Sequence, residues 1–260
     1  MIGFLLKKTF YDGWDNLIRL ILINLGFLVS LTIPVFVPGV IPFLPASLLV
    51  FALGILWCFV YLSAAALSLK AVSNYGSFGF ADFWNNIKAG WKPGLVIGVV
   101  VFLLFMMLWQ VIPFYLSMGS LFGFLLAAVI FWTFMLAVTS LQFFFAVRAR
   151  LDTDLRKVFR KCFYIFFDNP GFAIFCLFNT VVTLVISIFL AMIIPGPAGA
   201  LLFLDEALRL RLLKYDWLEE NPDPEPGSKR RQIPWDAILI EEREKIGTRT
   251  LKNFIFPWKD

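Results

Sequence analysis

The sequence predicts an all-α membrane protein: a six-helix transmembrane bundle with two interfacial amphipathic helices and a cytoplasmic C-terminal tail. Three observations carry that expectation. Apolar types make up 60% of the 260 residues and charged types only 16%, more apolar surface than one water-facing domain of this length can hide. The apolar residues gather in runs of about 20, the length a helix needs to cross about 30 Å of hydrocarbon. None of the 23 Lys and Arg residues falls in the short connections 38–44, 117–120 and 195–199, and retention of basic residues on the cytoplasmic side makes those connections external.

The elements follow in order. The N-terminus, MIGFLLKKTF, places its charges after a short apolar stretch, the reverse of a secretory signal, so the first span is expected to stay as an anchor. Five stretches qualify as spans: 17–37, 45–69, 94–116, 121–147 and 172–194. Pro34, Pro38, Pro42 and Pro45 crowd the first external corner, where fixed φ and missing N–H groups are expected to end helices. A sixth segment follows the turn at Pro195, Gly196, Pro197 and Gly199 and is apolar from Ala200 to Leu204 before Asp205 and Glu206. Five spans would leave every basic residue from Arg209 onward outside, whereas six place all 23 inside, and Arg209, Arg211 and Lys214 are close enough to the span to count. Both termini are therefore expected in the cytoplasm of a cell with this protein in its cell membrane, a bacterial inner membrane.

Two connections have helical periodicity. Leu155, Val158, Phe159, Cys162, Phe163 and Phe166 share one face, with Arg156, Lys157, Arg160 and Lys161 opposite, the pattern of a helix lying on a membrane with its cations on anionic lipid headgroups. Phe80, Phe83, Trp84, Ile87 and Trp91 form a second stripe opposite Asp82, Asn85, Asn86 and Lys88. Both surface helices are expected to end at Pro-Gly pairs, Pro93-Gly94 and Pro170-Gly171. The chain divides into a membrane domain, 1–213, and a cytoplasmic tail, 214–260. The tail comprises a polar Pro-rich linker at 219–229, a short helix at about 234–246 from Pro234 to a stop at Gly247, and an aromatic end at 251–259 that is expected to dock.

Chemistry-bearing residues are few. Cys58, Cys162 and Cys176 have no ligand spacing and read as small buried residues, and His is absent, which removes the commonest general base and metal ligand. No catalytic residue, metal or cofactor is expected. The basic excess comes without a nucleic-acid motif, so the expected partners are the bilayer and a membrane or cytoplasmic protein, with no nucleic acid. Site candidates are polar side chains within apolar segments: Asn24, Gln110, Gln142, Asn179, Asp205, Glu206 and Arg209. An amide in hydrocarbon must bond to another helix or to a ligand. Asp205 precedes Arg209 by one helical turn, which predicts an intrahelical pair. If the sixth helix starts at the outer surface, Asp205 lies near mid-bilayer and a functional acid is favoured; a deep Pro-Gly turn would instead put both charges at the cytoplasmic interface. Gly94 and Gly98, and Gly119 and Gly123, permit close helix approach.

The order of Asn24 in INLGF, a Pro-rich corner, FADFWNNIKAGWKPG, a surface helix ending DNPG and a closing PGPAGALL helix resembles the YesL-like family of bacterial integral membrane proteins over roughly residues 16 to 213. The resemblance implies a six-helix bundle and an accessory role in carbohydrate uptake, and it transfers no catalytic residue. The second span is longer here than in the family, and the tail lies outside the likeness. Two function classes follow: a small permease or accessory transport subunit with a polar cavity of Asn24, Gln142, Asn179, Asp205, Glu206 and Arg209, or a scaffold that recruits a cytoplasmic partner through its basic face and tail. A cavity reaching Asp205 would favour transport, and a dry bundle the scaffold.

Overall fold

Helix occupies most of the described residues, as lipid requires: with no water to satisfy N–H and C=O groups, the backbone must satisfy itself. The structure, a computed structural model, describes residues 1–221, 233–247 and 249. In order it forms α1 (Ile2–Asp15), α2 (Leu17–Val40), α3 (Leu44–Ser73), α4 (Phe80–Met106), a π-turn (Met107–Val111) leading into α5 (Ile112–Ser117), α6 (Leu121–Leu141), α7 (Phe144–Arg150), α8 (Leu155–Asp168), α9 (Pro170–Phe189), α10 (Gly196–Glu220), α11 (Trp235–Ile238) and α12 (Ile240–Ile246). Most of the linker 219–229 and the whole aromatic end 251–259 lie outside the described residues.

Five helical stretches are long and apolar enough to cross a membrane: Leu17–Val40, Leu44–Ser73, Phe80–Ser117, Leu121–Arg150 and Pro170–Phe189. Their outer surfaces remain apolar, with Val29, Leu49, Phe102, Leu125 and Phe178 all exposed. The sixth segment, α10, differs from these. It runs past residue 213 to Glu220 and, apart from Leu201, is buried from Gly196 to Leu208. It is the axis on which α1, α2, α3, α7 and α9 pack.

Several prolines lie inside helices and not at their ends. Pro34 and Pro38 lie inside α2, and Pro93 lies inside α4, against the expectation that they would terminate helices. The physical reason is close packing against α3. Gly54 leaves room for the Pro34 ring, and the Ser47 hydroxyl donates to the Pro38 carbonyl at 2.8 Å. On α4, Gly90 faces Ser63 and Gly94 lies so near Val60 that an added Cβ would stand 2.6 Å from its Cα. The contact outweighs the lost N–H bond, and the aromatic stretch before Pro93 continues into the span as one helix. Its Phe80, Trp84 and Trp91 are exposed, while Phe83 packs on Tyr61 with ring centroids 5.2 Å apart. α8 is a separate helix, begun by Asp154, whose carboxylate accepts from the Arg156 N–H at 3.0 Å, and broken from α9 at Asn169. Val158, Cys162 and Ile165 are buried beneath it, and burial pushes the Cys162 thiol up to about 12. Arg156, Lys157 and Arg160 are exposed, and Lys161 pairs with Asp152 at 3.2 Å.

Two features could not be read from the apolar runs. α1 is inside out: Lys8 and Asp12 are buried against the bundle, while Ile2, Leu6, Phe10 and Trp14, spaced four apart, are exposed. The turn between α9 and α10 is deep. Asn24 donates to the carbonyls of Ile193 and Pro195, both at 2.8 Å, and accepts from the Ala198 N–H at 2.9 Å. From Asn24 to Val40 α2 rises about a further 24 Å, so α10 begins well short of the Pro-rich corner.

Substituting Val at Gly94 is predicted to cost about 1–3 kcal/mol by forcing α4 off α3, whereas Ala at Gly171, whose Cβ position is open, should be neutral or mildly stabilising. Thermal unfolding in detergent followed by size exclusion checks this; equal midpoints for the two variants would contradict the packing.

Candidate functional site

Charges cluster where α1, the end of α3, the end of α7, α10 and α12 meet. Arg150, the last residue of α7, grips Asp205 with both arms of its guanidinium, Nε to Oδ1 at 2.9 Å and Nη2 to Oδ2 at 2.5 Å. Ser73 donates its hydroxyl to the same carboxylate at 2.5 Å and accepts from Arg150 Nη2. One turn further along α10, Arg209 donates to the Ser73 carbonyl, to Asn74 Oδ1 at 2.7 Å and to Glu242 Oε1 at 2.6 Å. The expected Asp205–Arg209 pair is thus replaced by two pairs that reach outward to different helices. Arg150 meets the Asp205 carboxylate with two bonds, the stronger fork geometry, while Arg209 is taken up by Ser73, Asn74 and Glu242.

A second layer is built from α1. Lys8, fully buried, donates to Asp12 and to the Ser73 carbonyl at 3.2 Å, and stands 3.9 Å from Glu206 Oε1. Thr9 donates its hydroxyl to Glu206 Oε2, leaving Oε1 without a hydrogen bond. Three cations, Lys8, Arg150 and Arg209, thereby face four carboxylates, Asp12, Asp205, Glu206 and Glu242. An isolated charge in such surroundings costs several kcal/mol, so each group holds its neighbours in place.

Tyr75 sits at the centre. It adopts φ +60 just past the end of α3, a left-handed conformation that ordinarily selects Gly or Asn at a helix C-terminus. The strain is offset by its ring and its phenol: Lys8 lies 4.0 Å above the ring, Arg209 and Lys245 each 5.3 Å from it, and the hydroxyl donates to Glu242 Oε2 at 2.6 Å. Burial, then the Glu242 contact, pushes the Tyr75 phenol up, so it stays a donor. Burial alone would raise the Glu242 carboxyl; the Tyr75 bond and the Arg209 and Lys8 charges win and hold it below its ordinary value. Nearby, Lys214 and Tyr215 hold Asp168 at 3.0 and 2.9 Å, tying the end of α8 to α10.

The other candidates are scattered. Asn24 and Gln142 are helix-to-helix glue: Gln142 donates to the carbonyls of Thr139 at 2.7 Å and Ala173 at 2.8 Å. Gln110 is exposed on the π-turn. Asn179 lines a cavity of about 480 Å³ between α1, α2, α9 and α10, and a second cavity of about 440 Å³ lies between α3, α4, α6, α9 and α10 with Gln142 on its wall. Both are lined mainly by apolar side chains, and neither is lined by Asp205, Glu206 or Arg209. So the six residues do not converge on one polar cavity. Among the described residues, no group of three acidic, Cys or His side chains is placed to hold a metal ion. Lys8, Ser73, Tyr75, Arg150 and Glu242 escaped the sequence reading. The available signal was the one-turn spacing of Lys8 and Asp12; nothing local marked the rest. Comparison with protein-family models, with curated proteins and with solved structures returns no match, so function has to be argued from these side chains.

Arg150→Gln and Asp205→Asn should each destabilise the protein by about 3–5 kcal/mol, with the double variant well short of their sum. Arg150→Gln and Gln142→Leu, whose bonds share no partner, should come closer to additivity. Full additivity in the first cycle would break the assignment. For pH the sign follows from the lowered Glu242 carboxyl: its contribution is fully present above the ordinary glutamate value and lost as pH falls through the lower folded-state value. Docking of α12 should therefore hold at pH 6 and fail in acid below the usual carboxylate range, read by protease cleavage between α10 and α12; a protection that is flat through that range contradicts it.

Proposed function

We propose that this chain is a multi-pass membrane scaffold whose cytoplasmic end presents a docked C-terminal helix to a protein partner. The observation that carries the reading is that Asp205 is saturated by Arg150 and Ser73 and lines neither cavity, while the same cluster grips α12 through Glu242. A transported solute needs a polar group with free capacity on its path; a scaffold needs a rigid end. Further support comes from Leu239 and Ile246, which are buried on the membrane body, and from the Arg249–Asp15 pair at 2.7 Å, which brings the chain beyond α12 to α1.

The topology belongs to the same proposal. The α9–α10 hairpin enters only to the depth of Asn24, so α10 returns the chain to the side from which α9 starts, and both α1 and α12 lie at that basic end. This is the cytoplasmic side of a bacterial inner membrane in the reading supported by the Lys/Arg distribution and by the resemblance to the YesL-like family. α8, with Arg156, Lys157 and Arg160 exposed, rests on anionic headgroups there. The partner would be a cytoplasmic component of a carbohydrate-uptake system, and no reaction is assigned to the chain.

Two measurements test this. Cysteines introduced at Gly39 and Gly119 should react with an impermeant external reagent and one at Gly247 should not; labelling of Gly247→Cys from outside would overturn the topology. Cross-linking in native membranes should capture one soluble protein with the full chain and lose it when Glu242→Arg unseats α12. Saturable solute flux in proteoliposomes that Asp205→Asn abolishes would replace the scaffold with a transporter.

A further inference from the structure

Asn179 is a polar side chain of the spans that faces a cavity. It lies nine residues into α9, about 13 Å along the helix from the polar end. Unlike Asn24 and Gln142, it makes no hydrogen bond to any described residue, yet lipid gives an amide no partner. It opens instead onto the cavity of about 480 Å³, whose wall includes Leu6, Ile186, Leu202 and Phe203 together with the hydroxyl-bearing Thr9 and Thr183. That is the make-up of a ligand site: a volume within the usual range of about 300–1,000 Å³, a mostly apolar wall, and few polar groups that fix orientation.

We infer that this cavity binds a neutral single-chain amphiphile, an apolar tail bearing a hydroxyl or amide head that hydrogen-bonds Asn179. The charge pattern narrows the class. None of the residues lining the cavity is charged, so a carboxylate, ammonium or phosphate head would be desolvated without a counter-ion. A hydroxyl both donates and accepts, as the Asn179 amide does. The cavity is built by the inside-out packing of α1: Leu6 and Thr9 stand on its wall while Lys8 and Asp12 are drawn into the cluster. Occupancy and the ionic cluster therefore share one helix, with Thr9 bonded on one side to Glu206 and lining the site on the other. The inference does not depend on the scaffold reading.

The test uses the full chain in phosphatidylcholine nanodiscs and, as probe, a hexadecanol carrying a photoactivatable diazirine. Labelling should be saturable, map to the α9–α10 segment or α1, and be displaced by unlabelled hexadecanol at least tenfold better than by hexadecanoate at pH 7. Asn179→Leu should weaken binding about three- to tenfold, the range of one neutral hydrogen bond. Ile186→Trp, at a position exposed by 47% and so tolerant of bulk, should abolish it with an unchanged melting temperature. Labelling that does not saturate, that is indifferent to both substitutions, or that hexadecanoate displaces equally well overturns the assignment. So does a gain in labelling on deletion of residues 250–260, which would make the chain's own end the occupant.

Discussion

Buried charge with no water to fall back on is the constraint from which the charged end of the bundle is built. Asp205 and Glu206 interrupt the apolar start of α10, and each must be answered by another element. Asp205 takes Arg150 from the end of α7 and Ser73 from the end of α3; Glu206 takes Thr9 and the neighbourhood of Lys8 from α1. Those demands bring α1 back along the bundle although its exposed face is apolar, and they keep Tyr75 in a backbone conformation that a tyrosine would otherwise avoid. They also give the tail its dock, since Arg209 and Tyr75 jointly hold Glu242. Apolar contacts alone, equally available in lipid, would not select this one arrangement.

Depth decides what the sixth segment means. Had α10 started at the Pro-rich corner, Asp205 would sit in mid-bilayer, where a lone acid points to proton or ion movement. Asn24 prevents this by capturing the turn at Ile193, Pro195 and Ala198. Asp205 consequently falls level with the ends of α3 and α7. A cavity of about 440 Å³ flanks α10 along Pro197, Ala200, Leu201 and Leu204.

The spans were legible because they depend on length and composition, which a run of residues shows directly. α8 was legible for the same reason, its apolar residues recurring at helical spacing. Whether a proline ends a helix was not: Pro34 and Pro93 are tolerated because Gly54 on α3, and Gly90 and Gly94 on α4 itself, let the helices approach, a fact about pairs of distant residues. The ionic cluster was half legible. Asp205, Glu206 and Arg209 stood out as charges in an apolar segment, but their partners lie at residues 8, 73, 150 and 242, and no local rule pairs them. The one-turn spacing of Asp205 and Arg209 offered a local answer, and the distant partners with better geometry displaced it. Asn24, Gln142 and Asn179 looked alike in sequence, and only packing shows that the first two bond to a neighbouring segment while Asn179 lines a cavity.

The central claim is that one cluster fastens α1, α10 and α12 together, and hydrogen exchange of the full chain in nanodiscs tests it most directly. Replacing Arg150 by Gln removes a side chain that touches neither α1 nor α12 in the contacts above, so any effect on them must pass through Ser73, Asn74 and Asp205. The account predicts that amides of Ile2–Asp15 and Ile240–Ile246 lose protection together in that variant, while those of α6 do not. Loss of protection confined to α7, with α1 and α12 exchanging as in the unaltered protein, would contradict it.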